Sequence, residues 1–233
     1  FLTSTVSNAT NPDAVNEKIG SVEVGYGFRS RQFSADVNAY FTKWMDKTTT
    51  RSGEISSGDY AGDRYYLNMQ GVDARHMGVE LNFVYKPTNW MELNGMFSWG
   101  DYEWASNAKG YFYNQQGQPL KDLRGNLASG VLAEDHAYTT LNQKGIKVGG
   151  SAQTTASLGV TFRPFKGFRI GADWVVNARN YSDYQVSSSN YTANSDISVA
   201  EPWKIPWGNQ VDLNAAYSFK LGGVRATVSG NIH

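Results

Sequence analysis

The residue types that most often carry out chemistry are sparse in this chain and form no recognisable catalytic or metal site. The histidines His76, His136 and His233 lie far apart in sequence, without the clustered spacing of a metal site. The chain has no cysteine, which excludes thiolate chemistry and a disulfide framework. It also lacks a nucleophile elbow, a phosphate-binding loop and a zinc-protease helix motif. The sequence therefore predicts no enzyme activity, no metal and no cofactor.

Two acidic residues, Glu80 and Glu92, would be the best general acid and base, because they fall on strands predicted to pair. No nucleophile or dry pocket accompanies them, so we interpret them as wall residues of a wet interior that bind water or pair with Arg169 or Arg225. Other polar residues follow the same strand faces. The set predicted to face the interior is Glu80, Glu92, Asn94, Arg169, Asp173, Asp212 and Arg225.

Aromatic residues in the predicted loops are the best sign of ligand binding, because flat exposed rings can stack on sugar or catechol faces. The competing interpretation is that these rings pack the loops together or lie at a membrane interface. Acids in the same loops are too scattered for a calcium loop of fixed spacing. The candidate ligand-binding residues are Trp104, Tyr111, Phe112, Tyr113, Tyr181, Tyr184, Tyr191, Trp203 and Trp207.

The elements that must position these residues are strands. In the segments 77–85 and 91–99, on either side of a turn at Pro87, apolar residues alternate with mostly polar ones, which is the period of a two-faced strand. The pattern recurs as about eight strands in four hairpins, near residues 22–28, 33–41, 77–85, 91–99, 154–162, 168–176, 211–219 and 224–232. The turns alternate between short and long, and the long connections are predicted over Lys43–Val72, Asp101–Gly150 and Ala178–Gly208. Loops longer than about 15 residues are usually functional.

The composition and the distribution of charge favour a membrane barrel over a soluble sandwich. The 233 residues include 21 basic and 21 acidic side chains, so a neutral chain gives no reason to expect nucleic acid. The apolar strand faces carry no charged residue, whereas the opposite faces do. Spans of about 9 to 11 residues with aromatics at both ends are typical of outer-membrane strands. The aromatics are Trp90, Phe165, Phe168 and Phe219 at the short-turn end, and Phe41, Trp44, Trp99 and Trp174 towards the long-loop end.

Four motifs resemble the C-terminal half of the β-barrel of TonB-dependent outer-membrane receptors. The segment 11–17 resembles the polar Asn-Pro-x-x-x-x-Glu stretch before a strand, and 76–81 is similar to the family's Gly-x-Glu-Leu strand opening. Residues 211–217 resemble the penultimate hairpin, and 229–233 match the approach to an Asn-Leu-Phe motif. The resemblance implies an all-β, antiparallel, up-and-down transmembrane barrel segment, with about eight strands of a barrel of about 22.

The resemblance also implies a function. Residues 1–233 would be a partial outer-membrane β-barrel domain, without the N-terminal plug and the last strand, in a Gram-negative receptor for active uptake of an oligosaccharide, siderophore or similar nutrient. Its implied partners are outer-membrane lipid, the TonB energy-coupling complex acting through the plug, an extracellular small-molecule or glycan ligand, and in some members a surface lipoprotein. The Asn-rich and aromatic-rich style resembles Bacteroidetes members. Two alternatives remain open: a small barrel of about eight strands that acts as an adhesin or structural protein, and a soluble carbohydrate-binding β-sandwich.

Overall fold

The chain is an all-β protein in a computed structural model that describes residues 15–130, 134–184, 186 and 191–233. Most of the 11–17 motif therefore lies outside the described residues. The described part contains no helix that is long and apolar enough to cross a membrane. The strands are β1 (Lys18–Arg29), β2 (Phe33–Glu54), β3 (Arg64–Tyr85), β4 (Met91–Trp104), β5 (Ala108–Tyr113), β6 (Tyr138–Asn142), β7 (Ala152–Phe162), β8 (Phe168–Tyr181), β9 (Ser195–Ser198), β10 (Lys204–Ile205), β11 (Gly208–Leu221) and β12 (Val224–Ile232).

Eight of these strands form a wall in which each strand pairs antiparallel with its neighbour, in the order β1, β2, β3, β4, β7, β8, β11 and β12. This confirms the predicted antiparallel up-and-down arrangement. The sheet is not closed, because in the described part of the chain β1 pairs only with β2, and β12 only with β11. In the described part of the chain the wall is thus an open segment with two free edges rather than a complete barrel.

The register joins the predicted apolar faces into one continuous surface. Leu81 lies opposite Val37 on one side and Phe97 on the other. In the same way, Trp174 lies between Leu158 and Val211. Because side chains alternate between the two faces of a sheet, this pairing places the polar residues of all eight strands on the opposite face. We call the two surfaces the apolar face and the polar face.

The first long connection is much shorter than predicted. The sequence places a polar loop over Lys43–Val72, but β2 and β3 are each 22 residues long and only residues 55–63 connect them. About ten residues of each strand project beyond the wall, a distance of about 30 Å. The other two long connections also contain strands, since β5 and β6 lie in the second and β9 and β10 in the third.

The projecting strands carry a separate packed unit, the loop lobe. It comprises the projecting ends of β2 and β3, the strands β5, β6 and β9, and the loops between them. In it β5 pairs with β3, β6 pairs with β5, and β9 runs parallel to β6. Its core contains Ile55, Tyr65, Leu67, Met69, Val72, Ala108, Phe112, Leu120, Ala137, Leu141, Ile146, Tyr184, Tyr191 and Val199. The lobe therefore has its own apolar core, distinct from the apolar face of the wall.

Two register shifts between β2 and β3 lie where the wall ends and the loop lobe begins. Asp46 on β2 and Gly71 on β3 have positive φ values of 60° and 67°, as expected for an extra residue at a β-bulge. One shift adds a residue to β2 and the next adds one to β3, so the faces stay aligned. Trp44 and Lys47, on either side of the first shift, therefore point to the same side of the sheet, and the Lys47 ammonium lies 4.6 Å from the ring centre of Trp44. The core of the lobe thus continues the polar face of the wall.

Aromatic side chains mark both ends of the apolar face. At the short-turn end, the rings of Phe165 and Phe168 stack with centres 5.0 Å apart, and Trp90 stacks on Phe162. At the other end, Trp99 lies on the apolar face and is 41% exposed. Trp90 and Trp99 are nine residues apart on the chain, about 30 Å along a strand, or about 23 Å in height if the strand is tilted by about 40°. This matches the apolar band of about 25 Å in outer-membrane barrels.

Trp44 is an exception to the predicted aromatic border. Its position puts it on the polar face, where its ring packs 6.4 Å from that of His76. His76 in turn stacks on Tyr102 with ring centres 4.6 Å apart. Trp44 therefore belongs to an aromatic cluster on the polar face of the wall, and the prediction that it borders the membrane is wrong.

Candidate functional site

The seven polar residues predicted to face the interior all lie on the polar face, but they are spread over five strands. Three of them share one row, because Asn94, Gly159, Asp173 and Asp212 are successive cross-strand partners. The glycine makes this row possible. A Cβ at Gly159 would lie 2.5 Å from Oδ1 of Asp173 and 2.7 Å from Oδ1 of Asn94. The two side chains therefore lean towards each other over a position that has no side chain.

The carboxylates of this row are hydrogen-bonded. Asn214 donates to Asp173 through Nδ2 at 3.3 Å. Asp212 accepts from Nε2 of Gln210 at 2.7 Å and lies 2.9 Å from Nδ1 of His233. The row presents acceptor oxygens to the interior, which suits the binding of water, hydroxyl groups or amines.

The predicted ion pairs of the wall are wrong for Glu92. Its carboxylate pairs with Lys86 at 3.4 Å and with Arg163 at 3.3 Å, rather than with Arg169 or Arg225. The reason is local, since Lys86 follows β3 and Arg163 follows β7, and both strands neighbour β4 at the short-turn end. Glu80 forms no ion pair with any described residue.

Five of the nine aromatic candidates take part in the packing of the loop lobe. Phe112, Tyr113, Tyr184 and Tyr191 are buried, with exposed fractions of 0%, 3%, 9% and 5%. Trp104 packs edge-on against Tyr184, with ring centres 6.2 Å apart. Burial leaves these four buried rings almost no surface for a ligand in this conformation. The spacing of residues in the sequence does not distinguish a packed ring from an exposed one.

Burial also fixes the ionisation of the lobe tyrosines. It raises the pKa of Tyr65 to about 12, with a further contribution from Tyr191. Burial likewise raises the pKa of Tyr184 and of Tyr191, although the nearby charge of Arg51 opposes the effect at both. The hydroxyl of Tyr184 donates to the buried Gln143. These phenols are therefore neutral structural groups at physiological pH.

The remaining candidates reach the surface. Trp203, Trp207 and Tyr111 are 66%, 63% and 36% exposed, and Tyr181 is half-buried. Tyr111 lies beside Lys109, whose ammonium is 5.3 Å from its ring centre and 4.1 Å from that of Tyr138. Trp203 and Trp207 are therefore the most available to stack on a flat ligand, whereas Tyr111 also packs against His136 with ring centres 4.8 Å apart.

A cluster of charged residues lies just beyond the apolar face, at its long-loop end. The sequence did not predict this cluster. Arg75 bridges Asp101 at 3.3 Å and Glu103 at 2.7 Å, and Lys147 donates to Asp101. Burial favours the neutral acid, but the hydrogen bond and charge of Lys147 and the charges of Arg75 and Arg179 outweigh it, so the pKa of Asp101 lies below its ordinary value. Lys147 and Arg179 come from distant parts of the chain, so no local pattern could have revealed the cluster.

Comparison with known proteins identifies the family to which this wall belongs. The profile described as TonB dependent receptor-like, beta-barrel matches residues 2–233, which is nearly the whole chain. The chain belongs to the TonB-dependent receptor β-barrel family. It is therefore a partial transmembrane β-barrel, in which the apolar face meets lipid and the polar face lines the lumen. The loop lobe lies at the long-loop end, which is extracellular in outer-membrane barrels.

Solved structures resemble this chain weakly. The copper transporter OprC has a TM-score of 0.47 and 15% identity, covering 91% of this chain and 24% of its own. The Pseudomonas putida toluene transporter TodX has a TM-score of 0.41 and 12% identity, covering 93% of this chain and 55% of its own. The chain thus spans about a quarter to about half of the lengths of these proteins. No curated protein matches the sequence.

Proposed function

We propose that this chain supplies part of the barrel wall and extracellular surface of an outer-membrane receptor that takes up a scarce nutrient actively. The observation that carries the proposal is the continuous apolar face across eight strands, combined with an opposite polar face that the core of the loop lobe continues. The transported compound is an oligosaccharide, a siderophore or a nutrient of similar size. It is captured outside and passes along lumen residues such as Asn94, Asp173 and Asp212.

The uptake depends on parts of a larger protein. We propose that a plug and a TonB-coupling segment lie N-terminal to this wall, that further strands complete a barrel of about 22, and that outer-membrane lipid surrounds it. A surface lipoprotein would cover the extracellular opening. An enzyme function has no support in the family, whose members are receptors and transporters.

Energy-dependent uptake in cells is the decisive experiment. A strain in which the gene is deleted is complemented with the full-length protein and grown with candidate nutrients at limiting concentration, with and without a functional TonB complex. We expect accumulation of labelled nutrient only when both are present. Accumulation that is unchanged by loss of the TonB complex would contradict the proposal.

Exposed aromatics are the proposed capture residues. Replacing Tyr111, Trp203 and Trp207 together by Ala should weaken ligand capture by about tenfold, since ring stacking contributes about 0.5 to 1.5 kcal/mol per pair beyond the buried area. Trp90→Ala, which removes a ring that is 50% exposed at the opposite end of the wall, is the matched control and should leave capture unchanged. Full binding by the triple variant would move the proposed site to the lumen wall.

A further inference from the structure

A small cavity lies at the tip of the loop lobe, and none of the exposed aromatics proposed above lines it. Its volume is about 260 Å³, and it is formed by the β2–β3 connection, residues 55–63, and the loop that follows β5, residues 114–127. We call it the tip pocket. Its apolar base is Ile55 and Leu120, which are 3% and 0% exposed. A cavity of this size lies just below the usual range of about 300 to 1,000 Å³ for drug-sized ligands, so it suits a smaller molecule.

Both walls of the tip pocket are fixed by hydrogen bonds. On one side, Ile55 N–H donates to the carbonyl of Asp63 at 2.7 Å, and Gly62 N–H donates to the carbonyl of Ile55 at 3.0 Å. On the other, the Asn114 carboxamide accepts from the backbone N–H groups of Gln116 and Gln118 at 3.0 and 2.8 Å. A ligand therefore meets a preorganised site and need not order either loop.

The two walls are also packed against each other by glycines. A Cβ at Gly125 would lie 2.5 Å from the ring of Tyr60, and a Cβ at Gly58 would lie 2.6 Å from the carbonyl oxygen of Arg124. Both glycines have positive φ values, 92° and 89°, which L side chains rarely adopt. The close approach of the loops thus depends on the absence of side chains at these positions.

Two opposite charges line the tip pocket, and neither has an ion-pair partner in the part of the chain that the structure describes. Asp63 and Arg64 both contribute to its lining, and neither forms an ion pair or side-chain hydrogen bond with a described residue. Glu54 lies opposite Arg64 in the strand register but makes no ion pair with it. The side chains of Gln115 and Gln116 are exposed and make no hydrogen bond to a described residue, and each offers both a donor and an acceptor.

We propose that the tip pocket binds a zwitterionic ligand, an amino acid or dipeptide with free ends. The Asp63 carboxylate accepts hydrogen bonds from the ammonium group of the ligand. The Arg64 guanidinium donates two parallel hydrogen bonds to the carboxylate of the ligand, and such charge-assisted bonds are stronger than neutral ones. The Gln115 and Gln116 carboxamides match a peptide amide, which also has one donor and one acceptor. An ordinary cation or anion would satisfy only one of the two charges. This inference goes beyond the proposed uptake of an oligosaccharide, a siderophore or a nutrient of similar size, because the ligand is smaller, and it rests on that function only for its biological role.

Matched ligands and matched variants test the charge assignment. Binding of Ala-Ala to the full-length protein in detergent is measured by calorimetry, beside N-acetyl-Ala-Ala, Ala-Ala-amide and glucose. We expect Ala-Ala to bind at least tenfold more tightly than either blocked peptide, and glucose not to bind. Asp63→Asn should weaken the binding of Ala-Ala at least tenfold but leave the binding of N-acetyl-Ala-Ala unchanged. Arg64→Gln should likewise weaken the binding of Ala-Ala at least tenfold but leave the binding of Ala-Ala-amide unchanged. Gln70→Ala, a glutamine of the lobe that does not line the pocket, is the control variant.

The outcomes separate the tip pocket from the uptake function. Equal binding of free and blocked peptides, binding of glucose alone, or no binding of Ala-Ala would overturn the proposed ligand class. Insensitivity of Ala-Ala binding to both charge variants would overturn the site. Calorimetry requires no energy source, so tight Ala-Ala binding without TonB-dependent uptake in cells would contradict the uptake function and leave the site intact. TonB-dependent uptake of another nutrient without Ala-Ala binding would contradict the proposed site and leave the uptake function intact.

Discussion

At the scale of single residues, Leu81 tests which face of the wall meets lipid. It lies on the apolar face between Val37 and Phe97, near the middle of the span. Leu81→Arg in the full-length protein should lower the free energy of unfolding by about 2 to 4 kcal/mol, because a charge at mid-membrane loses its hydration. Asn82→Arg, one residue away on the lumen face, should cost much less. Denaturant unfolding in lipid vesicles measures both, and equal losses would contradict the assignment of the faces.

Tyr65 gives a prediction about pH. Its pKa is raised to about 12 by burial and by Tyr191, whereas an exposed tyrosine ionises near pH 10. The folded lobe therefore holds this proton more tightly than the unfolded chain does, and the resulting stability is complete below about pH 10 and is lost as the pH rises towards 12. Absorbance titration of tyrosinate should show a late phase that becomes smaller in Tyr65→Phe. A single transition near pH 10 in both proteins would contradict the burial of this ring.

The placement of polar wall residues could be predicted from the sequence, but their partners could not. Strand period alone puts Glu92 on the polar face, in agreement with the register, in which Glu92 lies opposite Thr161. Its pairing with Lys86 and Arg163 depends on which strands become neighbours and on how the short turns place the next side chain. The burial of Phe112 could not be predicted from the sequence either, because the residues that cover it come from several parts of the chain.

At the scale of elements, the wall strands were predictable and the projecting strands were not. The wall strands alternate apolar and polar residues and end at turn residues, which is a local signal. The sequence of the projecting end of β2 predicts a loop, because residues 46–54 are mostly polar and do not show the alternating apolar face of a strand. It forms a strand because β3 pairs with it, and β3 is held in turn by β5. Such tertiary support overrides local propensity.

The loop lobe should unfold separately from the wall. Leu67 is fully buried in the lobe core, so Leu67→Ala should cost about 2 to 5 kcal/mol through lost contacts and a cavity. Because the two apolar surfaces are distinct, the loss should appear as faster hydrogen exchange in β5 and β6, with β7 and β8 unchanged. Thr48→Ala, at an exposed position on β2, is the control and should change neither. Faster exchange throughout the wall would show that lobe and wall form one cooperative unit.

At the scale of the whole molecule, the free edges of β1 and β12 determine how the isolated chain behaves. Among the described residues, each edge presents a row of unpaired backbone groups that lipid cannot satisfy. We predict that the polypeptide of residues 1–233 alone aggregates in detergent, as judged by size-exclusion chromatography. A monodisperse species whose electrophoretic mobility changes on heating would contradict this prediction and favour the alternative of a small closed barrel of about eight strands.

The contrast between wall and lobe has a consequence for the order of assembly. Most wall pairings join strands that follow one another closely in the chain, so they need only short loops to close. The lobe instead brings Ile55 and Val199 into one core and pairs β6 with β9 across more than fifty residues. Closing such long loops is slow because the entropy is lost before any contact forms. The lobe can thus complete its core only after residues as far apart as Ile55 and Val199 have come together, so we expect this core to form later than the hairpins of the wall.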